Sequence, residues 1–255
     1  MLESAWHQGT GLHWQGTQSP LRVLPVVPSG DNADGTALWM ACAHLQQQGY
    51  PVVVLDGTEQ ETTANPGLQD LLQPRTGYTH TALPADIANP LSVATLPAAR
   101  GMVQLLHKAS QTGERPVDLL HRHVRNHALV VLWGPAPLLA PMLHGCTQAA
   151  VQLVSAQSRS VVSNYRALKQ MFMDCGVMPR LVALRPHNYG LDSVLRSVSQ
   201  CAMHHLHTEP LCEQFDPLQP RQLQRWALQC LEHAETVLPP HEAAASANSS
   251  AVWSH

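Results

Sequence analysis

Residues 22–56 contain the pattern that most restricts the fold of this chain. An apolar run over 22–27 is followed by a glycine-containing loop, then by apolar residues at helical spacing over about 34–48. A second apolar run over 51–55 follows and ends in Asp56. A strand, a crossover helix and a second strand in this order predict two parallel strands of one sheet.

The loop between the first strand and the helix has the position of a phosphate-binding loop but lacks the residues that bind phosphate. Such loops hold phosphates with backbone amides at a helix N-terminus and with a lysine. The loop Ser29–Thr36 has no lysine and contains Asp31 and Asp34. A unit charge at about 4 Å is worth roughly 4 kcal/mol at an effective dielectric of 20, so an anion in place of a cation opposes triphosphate binding. We therefore expect no nucleotide cofactor, and interpret these residues as a degenerate nucleotide loop: Ser29, Gly30, Asp34, Gly35, Thr36 and Asp56.

The acidic residues of this region also have a structural interpretation, which we favour. Carboxylates at a helix N-terminus, such as Asp31 and Asp34, stabilise the helix dipole by roughly 0.3–1 kcal/mol each. Binding of a metal or another cation is the less favoured alternative. Asp56 is expected to cap a turn at the strand end rather than to act as a catalytic acid, and Thr36 is a residue type that could hold a magnesium ion.

Composition restricts the class of protein. The chain has 255 residues, of which 44% are hydrophobic and 13% are charged, so a sizeable core is expected. The net charge of −3 shows no basic excess, and we predict no nucleic-acid partner. Six cysteines occur without a C-x-x-C pair, which favours a reducing, cytoplasmic environment. We predict neither a signal peptide nor a membrane span.

Beyond residue 56 the apolar patterns continue to alternate between strand and helix. The predicted strands cover 91–96, 128–133, 151–154 and 181–184. The predicted helices cover 68–72, 99–110, 119–125, 160–174, 191–206 and 220–238. This alternation predicts an α/β fold with a mainly parallel twisted sheet and helices on both faces. We expect one domain over 21–238, a flexible arm over 1–20 and a disordered tail over 239–255.

Several segments occur in an order that resembles a known family. Gly67–Leu72 is a short leucine-rich segment, and Leu91–Gly101 reads as a strand that turns at Pro97-Ala98-Ala99. Ala128–Ala136 is an apolar strand followed by Gly-Pro-Ala, and Ser163–Lys169 is a helical segment. In this order they resemble the MinD/ParA-like group of P-loop ATPases over roughly residues 5–215. The resemblance implies a P-loop NTPase fold.

The N-terminal arm resembles one branch of that group. His7–His13 is similar to a short element that precedes the first strand of the FlhG (FleN) proteins, which control flagellar number and placement. In FlhG this element stimulates a partner GTPase, FlhF, so the resemblance implies a protein partner of FlhF type. The implied partner-binding residues, with two flanking tryptophans as anchors, are Trp6, His7, Gln8, Gly11, Leu12 and Trp14. Folding of the tryptophans back onto the domain is an equal alternative.

The departures from the family pattern decide the functional hypothesis. Both lysines of the family's loop are missing, with Ser29 and Asp34 in their places. The strand that ends in a catalytic carboxylate in the family ends here in Trp133, and Leu184 replaces an adenine-reading asparagine. We therefore predict a monomeric, non-catalytic FlhG-like regulator of flagellar assembly or placement. The alternatives are an ATPase with an unusual loop, or a related cellulose-synthesis or pilus-localisation factor.

Two further segments have competing interpretations. The helix over 220–238 carries an apolar stripe that could reach a membrane, but its polar face mixes arginines with glutamates. We favour packing of this stripe on the domain and keep weak peripheral membrane contact as the alternative. Cys201 and His205 have the spacing of a metal-ligand pair, but no second pair completes it, and we predict no metal site.

Overall fold

The computed structural model describes residues 20–73, 93–124, 126–154, 160–184 and 191–237. The strands are β1 (Leu21–Val27), β2 (Val52–Asp56), β3 (Ala94–Pro97), β4 (Leu129–Trp133), β5 (Val151–Val154), β6 (Arg180–Leu184), β7 (Cys212–Phe215) and β8 (Glu235–Val237). The helices are α1 (Asn32–Gln47), α2 (Leu68–Leu72), α3 (Ala99–Thr112), α4 (Pro116–Val124), α5 (Ala136–Met142), α6 (Ser160–Cys175), α7 (Leu191–Leu206) and α8 (Pro220–Glu232).

In this part of the chain the strands form one sheet in the order β3-β2-β4-β1-β5-β6-β7, and β8 pairs with β1. All neighbours in that order are parallel, and only the β1–β8 pair is antiparallel. Helices α1 and α8 pack on one face of the sheet, and α2 to α5 pack on the other. The predicted α/β fold with a mainly parallel sheet and helices on both faces is confirmed.

The central strands explain why the sequence predicts this fold. Every residue of β2 and β4 is buried, because both strands lie inside the sheet and are covered on both faces. Alternate residues of β1 face opposite layers: Val23 packs with the α2–α5 layer, whereas Leu24 packs with α1 and α8. Continuous apolar runs are therefore required at these positions.

The C-terminal helix differs from its prediction. It ends at Glu232 rather than at residue 238, and Glu235–Val237 forms β8 instead. The reason lies in the sheet: β5 pairs with β1 only at Val26 and Val27, so the first residues of β1 need other partners for their backbone groups. Strand β8 supplies them by pairing with Leu21–Val23. Packing of the helix's apolar stripe on the domain is confirmed, because these residues are buried: Leu223, Trp226, Ala227, Cys230 and Leu231.

Besides β8, two further elements were not predicted. Helix α5 was missed because Pro135, Pro137 and Pro141 give its sequence the composition of a loop, although proline is tolerated in a helix's first turn. Strand β7 was missed because it is short and lacks an apolar run. Among the described residues, no helix combines the length and the apolarity that a membrane crossing requires.

Candidate functional site

The site predicted from the sequence lies at the edge of the sheet where the parallel strands end. Val26 near the end of β1 is in register with Trp133, and Trp133 is in register with Asp56 at the end of β2. Because neighbouring strands lie about 4.8 Å apart, Asp56 is roughly 10 Å from β1 across the sheet. The loop from Ser29 to Asp34 leaves β1 at this edge and enters α1.

Asp34 is turned into this loop and not towards solvent. Its carboxylate oxygen Oδ2 accepts a hydrogen bond from the Ser29 backbone N–H at 2.6 Å and a second from the Ser29 hydroxyl at 2.7 Å. The residue is only 2% exposed. A phosphate bound to such a loop would need backbone amides of this kind. The chain's own anion therefore already occupies the Ser29 donors.

Asp31 has a different role at the same helix terminus. It is the N-cap of α1 and has extended backbone angles, and its Oδ1 accepts from the Ala33 backbone N–H at 3.1 Å. The Asp34 N–H donates to the Asp31 carbonyl oxygen at 3.1 Å. Gly30, with a φ of 92°, makes the turn between the strand and this cap. Asp31 thus caps the helix, and the Asp34 side chain accepts hydrogen bonds from Ser29 instead.

Burial raises the pKa of Asp34, and the Asp31 charge adds to this, while the two hydrogen bonds from Ser29 act in the opposite direction. A carboxyl group with a raised pKa in the folded chain contributes stability at low pH. That contribution is complete below the ordinary value of 3.8 and is lost as the pH rises through the raised value. The direction of this pKa shift means that folding disfavours the ionised form of Asp34, so its burial is not explained by a stabilising charge.

Asp56 closes the turn that follows β2. Its Oδ1 accepts from the Thr58 backbone N–H at 2.8 Å and from the Thr58 hydroxyl at 2.6 Å. Its carbonyl oxygen accepts from the Ala98 N–H at 2.8 Å. Asp56 is 8% exposed, so the carboxylate is committed to the turn. Thr36, in contrast, is exposed on the first turns of α1.

An aromatic pair stands between the loop and Asp56. Trp133 ends β4 and packs edge-to-face against Trp39 of α1, with ring centroids 5.7 Å apart and planes at 83°. Trp133 is buried in the layer formed by α1 and α8. An indole offers no oxygen ligand for magnesium and no base for a water molecule. This strand end therefore lacks the groups that phosphoryl transfer uses.

Glu61 is a further buried carboxylate at this edge that sequence reasoning missed. It is 2% exposed. Its Oε1 accepts from the backbone N–H groups of Gln69 in α2 at 3.2 Å and Gly101 in α3 at 2.7 Å. Its Oε2 accepts from the Arg100 N–H at 2.8 Å. The only signal in the sequence was indirect: the residue before α3 is Ala98, which cannot cap a helix with its side chain.

The remaining predicted residues are placed as follows. Leu184 is buried at the end of β6. On α7, the rings of His204 and His205 lie edge-to-face with centroids 4.7 Å apart. No group of three metal-ligating side chains occurs in the described part of the chain. The arm residues fall outside the described residues, as does the tail: Trp6, His7, Gln8, Gly11, Leu12 and Trp14.

Comparison with known proteins finds a likeness to solved structures. No protein-family model matches the sequence, and no curated protein matches it. The chain is similar to a solved structure described as a ParA family ATPase from Chlorobium tepidum TLS, with 11% sequence identity and a TM-score of 0.44. The match covers 81% of this chain and 98% of that one. A likeness at this level does not carry that protein's activity over to this chain.

Proposed function

We propose that this chain is a non-catalytic regulatory protein with a MinD/ParA-like scaffold that acts through contacts with other proteins. The observation that carries the proposal is the Asp34 carboxylate on the Ser29 amide and hydroxyl. An incoming phosphate would have to displace a buried anion, and no cation in the loop would compensate it. We further propose that the protein is a cytoplasmic monomer.

The positions of the lysines support this proposal. The sequence contains two, Lys108 and Lys169. The Lys108 ammonium donates to the Leu72 carbonyl oxygen at 3.0 Å, which ties α3 to the end of α2. Lys169 lies on an exposed face of α6, the helix that follows β5. Neither belongs to the loop after β1, which argues against a nucleotide-binding lysine supplied from within the chain.

We expect millimolar Mg-ATP or Mg-ADP to leave the melting temperature of the protein unchanged. A ligand that binds the native state at 100 times its dissociation constant stabilises it by about 2.7 kcal/mol, which a thermal melt detects readily. The measurement is a melt followed by circular dichroism, with calorimetric titration as a second readout. A rise of several degrees, or heat from micromolar binding, would favour the alternative of an ATPase with an unusual loop.

The finer proposal is an FlhG-like role in flagellar assembly or placement. It rests on the resemblance of His7–His13 to the FlhG element and on Trp6 and Trp14, which flank it. We propose that this arm binds an FlhF-like GTPase as a separable element. A segment that orders on docking pays conformational entropy, so the affinity is expected to be modest.

We expect a Gln8→Ala/Leu12→Ala variant to keep its fold and to lose stimulation of an FlhF-like GTPase. The assay compares GTP hydrolysis with the wild-type protein, with the variant and with a peptide of residues 1–20. Circular dichroism of the variant controls for folding. Absence of stimulation by the wild-type protein would remove the FlhG-like assignment, and the cellulose-synthesis and pilus-localisation alternatives would remain.

A further inference from the structure

Residues 29–34 are joined by a closed ring of hydrogen bonds. Ser29 donates twice to the Asp34 carboxylate, Asp34 donates its N–H to the Asp31 carbonyl, and Asp31 caps Ala33. The Asp31 N–H also lies 3.4 Å from the Ser29 hydroxyl oxygen. The first turn of α1 is thus joined to the end of β1 by side chains of the loop itself.

We propose that the Asp34–Ser29 contact is an internal latch that holds this loop in one conformation without a nucleotide. The contact links residues five positions apart, across the turn at Gly30. It uses both a backbone and a side-chain donor, and bonds to an ionised acceptor are the stronger kind. The loop therefore has its anionic acceptor built in.

A role in helix capping alone does not account for Asp34. The cap is already supplied by Asp31, whose carboxylate accepts from Ala33. Exposed carboxylates also interact favourably with a helix dipole, so this interaction does not require burial. Asp34 is nevertheless 2% exposed, at a cost in desolvation. Its direction towards Ser29 is the feature that the latch explains.

The latch has a consequence for regulation, which rests on the proposed function. A loop closed by Asp34 stays in one conformation whether nucleotide is present or absent. Changes in nucleotide concentration then have no effect on it, because a ligand shifts an equilibrium only through different affinities for two states. Control of the protein has to come from its amount or its partners.

Amide hydrogen exchange at Ser29, read by NMR on the full chain, tests the latch. In the wild-type protein without nucleotide, we expect the Ser29 amide to be protected. In Asp34→Ala its exchange should accelerate roughly tenfold to a hundredfold, as expected for loss of a charged hydrogen bond. The matched control is Asp31→Ala, which should accelerate exchange at Ala33 and leave Ser29 protected.

A second variant keeps the test decisive if Asp34→Ala does not fold. Ser29→Ala removes the hydroxyl bond and retains the amide bond, so exchange at residue 29 should rise by a smaller factor. An unprotected Ser29 amide in the wild-type protein, or no acceleration in either variant, overturns the latch and leaves the non-catalytic proposal standing. Slower exchange of wild-type loop amides on addition of Mg-ATP overturns the proposed function and the nucleotide-independent latch together.

Discussion

The Glu61→Ala variant is expected to lose about 3–5 kcal/mol of unfolding free energy. The substitution removes one acceptor group from three backbone N–H donors, on Gln69, Arg100 and Gly101. A hydrogen bond to a charged group contributes about 1.5–3 kcal/mol, and the three bonds share one carboxylate, so their contributions do not add fully. The Gly101 donor, which is buried, would also lose its acceptor.

Urea-induced unfolding followed by circular dichroism measures this loss. The matched control is Gln60→Ala, because Gln60 is the neighbouring residue, is exposed, and makes a weak contact of 3.4 Å with Arg100. We expect the control to change the unfolding free energy by less than about 0.5 kcal/mol. A Glu61→Ala variant as stable as this control would show that Glu61 does not anchor α2 and α3.

Three buried carboxylates lie at the edge of the sheet where the parallel strands end, and each accepts hydrogen bonds from the chain itself. Asp34 is satisfied by Ser29, Asp56 by Thr58, and Glu61 by the termini of two helices. Each negative charge is met by donors of the chain itself, at the edge where α/β sheets generally bind ligands. The Ser29 amide and hydroxyl, which an anion at this loop could use, are already engaged by Asp34. This engagement is the basis of the non-catalytic proposal.

The sequence was sufficient to predict the fold class because the inner strands are buried on both faces. Continuous apolar runs such as Val52–Leu55 and Leu129–Trp133 have few alternatives to a central parallel strand. The short helix Leu68–Leu72 was also placed correctly. These patterns are formed by residues that are close together in the sequence, so they can be recognised without knowledge of the fold.

The features that the sequence did not reveal depend on distant partners. Strand β8 forms because β5 does not reach the first residues of β1 on the side away from β4, and no pattern around Glu235 indicates this. Glu61 acts on residues 39 and 40 positions away. Asp34 was identified from its position in the loop, but whether its carboxylate faces solvent or Ser29 is decided by packing. The sequence thus predicted where the loop lies but not which hydrogen bonds form within it.

The Gly67→Ala variant is expected to lose about 3 kcal/mol or more, because its added methyl group has no space. A Cβ at this position would lie 2.0 Å from the Pro97 carbonyl oxygen and 2.8 Å from Glu61 Cγ. The nearest obstacle is backbone of β3, which can move only if the edge of the sheet moves with it. The same displacement would disturb Glu61 and its bonds to two helices.

Gly35→Ala is the matched control for this variant. Gly35 lies in α1, and a Cβ there would meet nothing within 4 Å, so helix propensity predicts a gain of about 0.5–1 kcal/mol. Urea unfolding of both variants should therefore give changes of opposite sign. Because Gly67 and Glu61 are in contact, the double variant Gly67→Ala/Glu61→Ala should lose less than the sum of the single losses. Strictly additive losses would show that the two residues act on the α2 and α3 termini independently, contrary to the coupling expected from their contact.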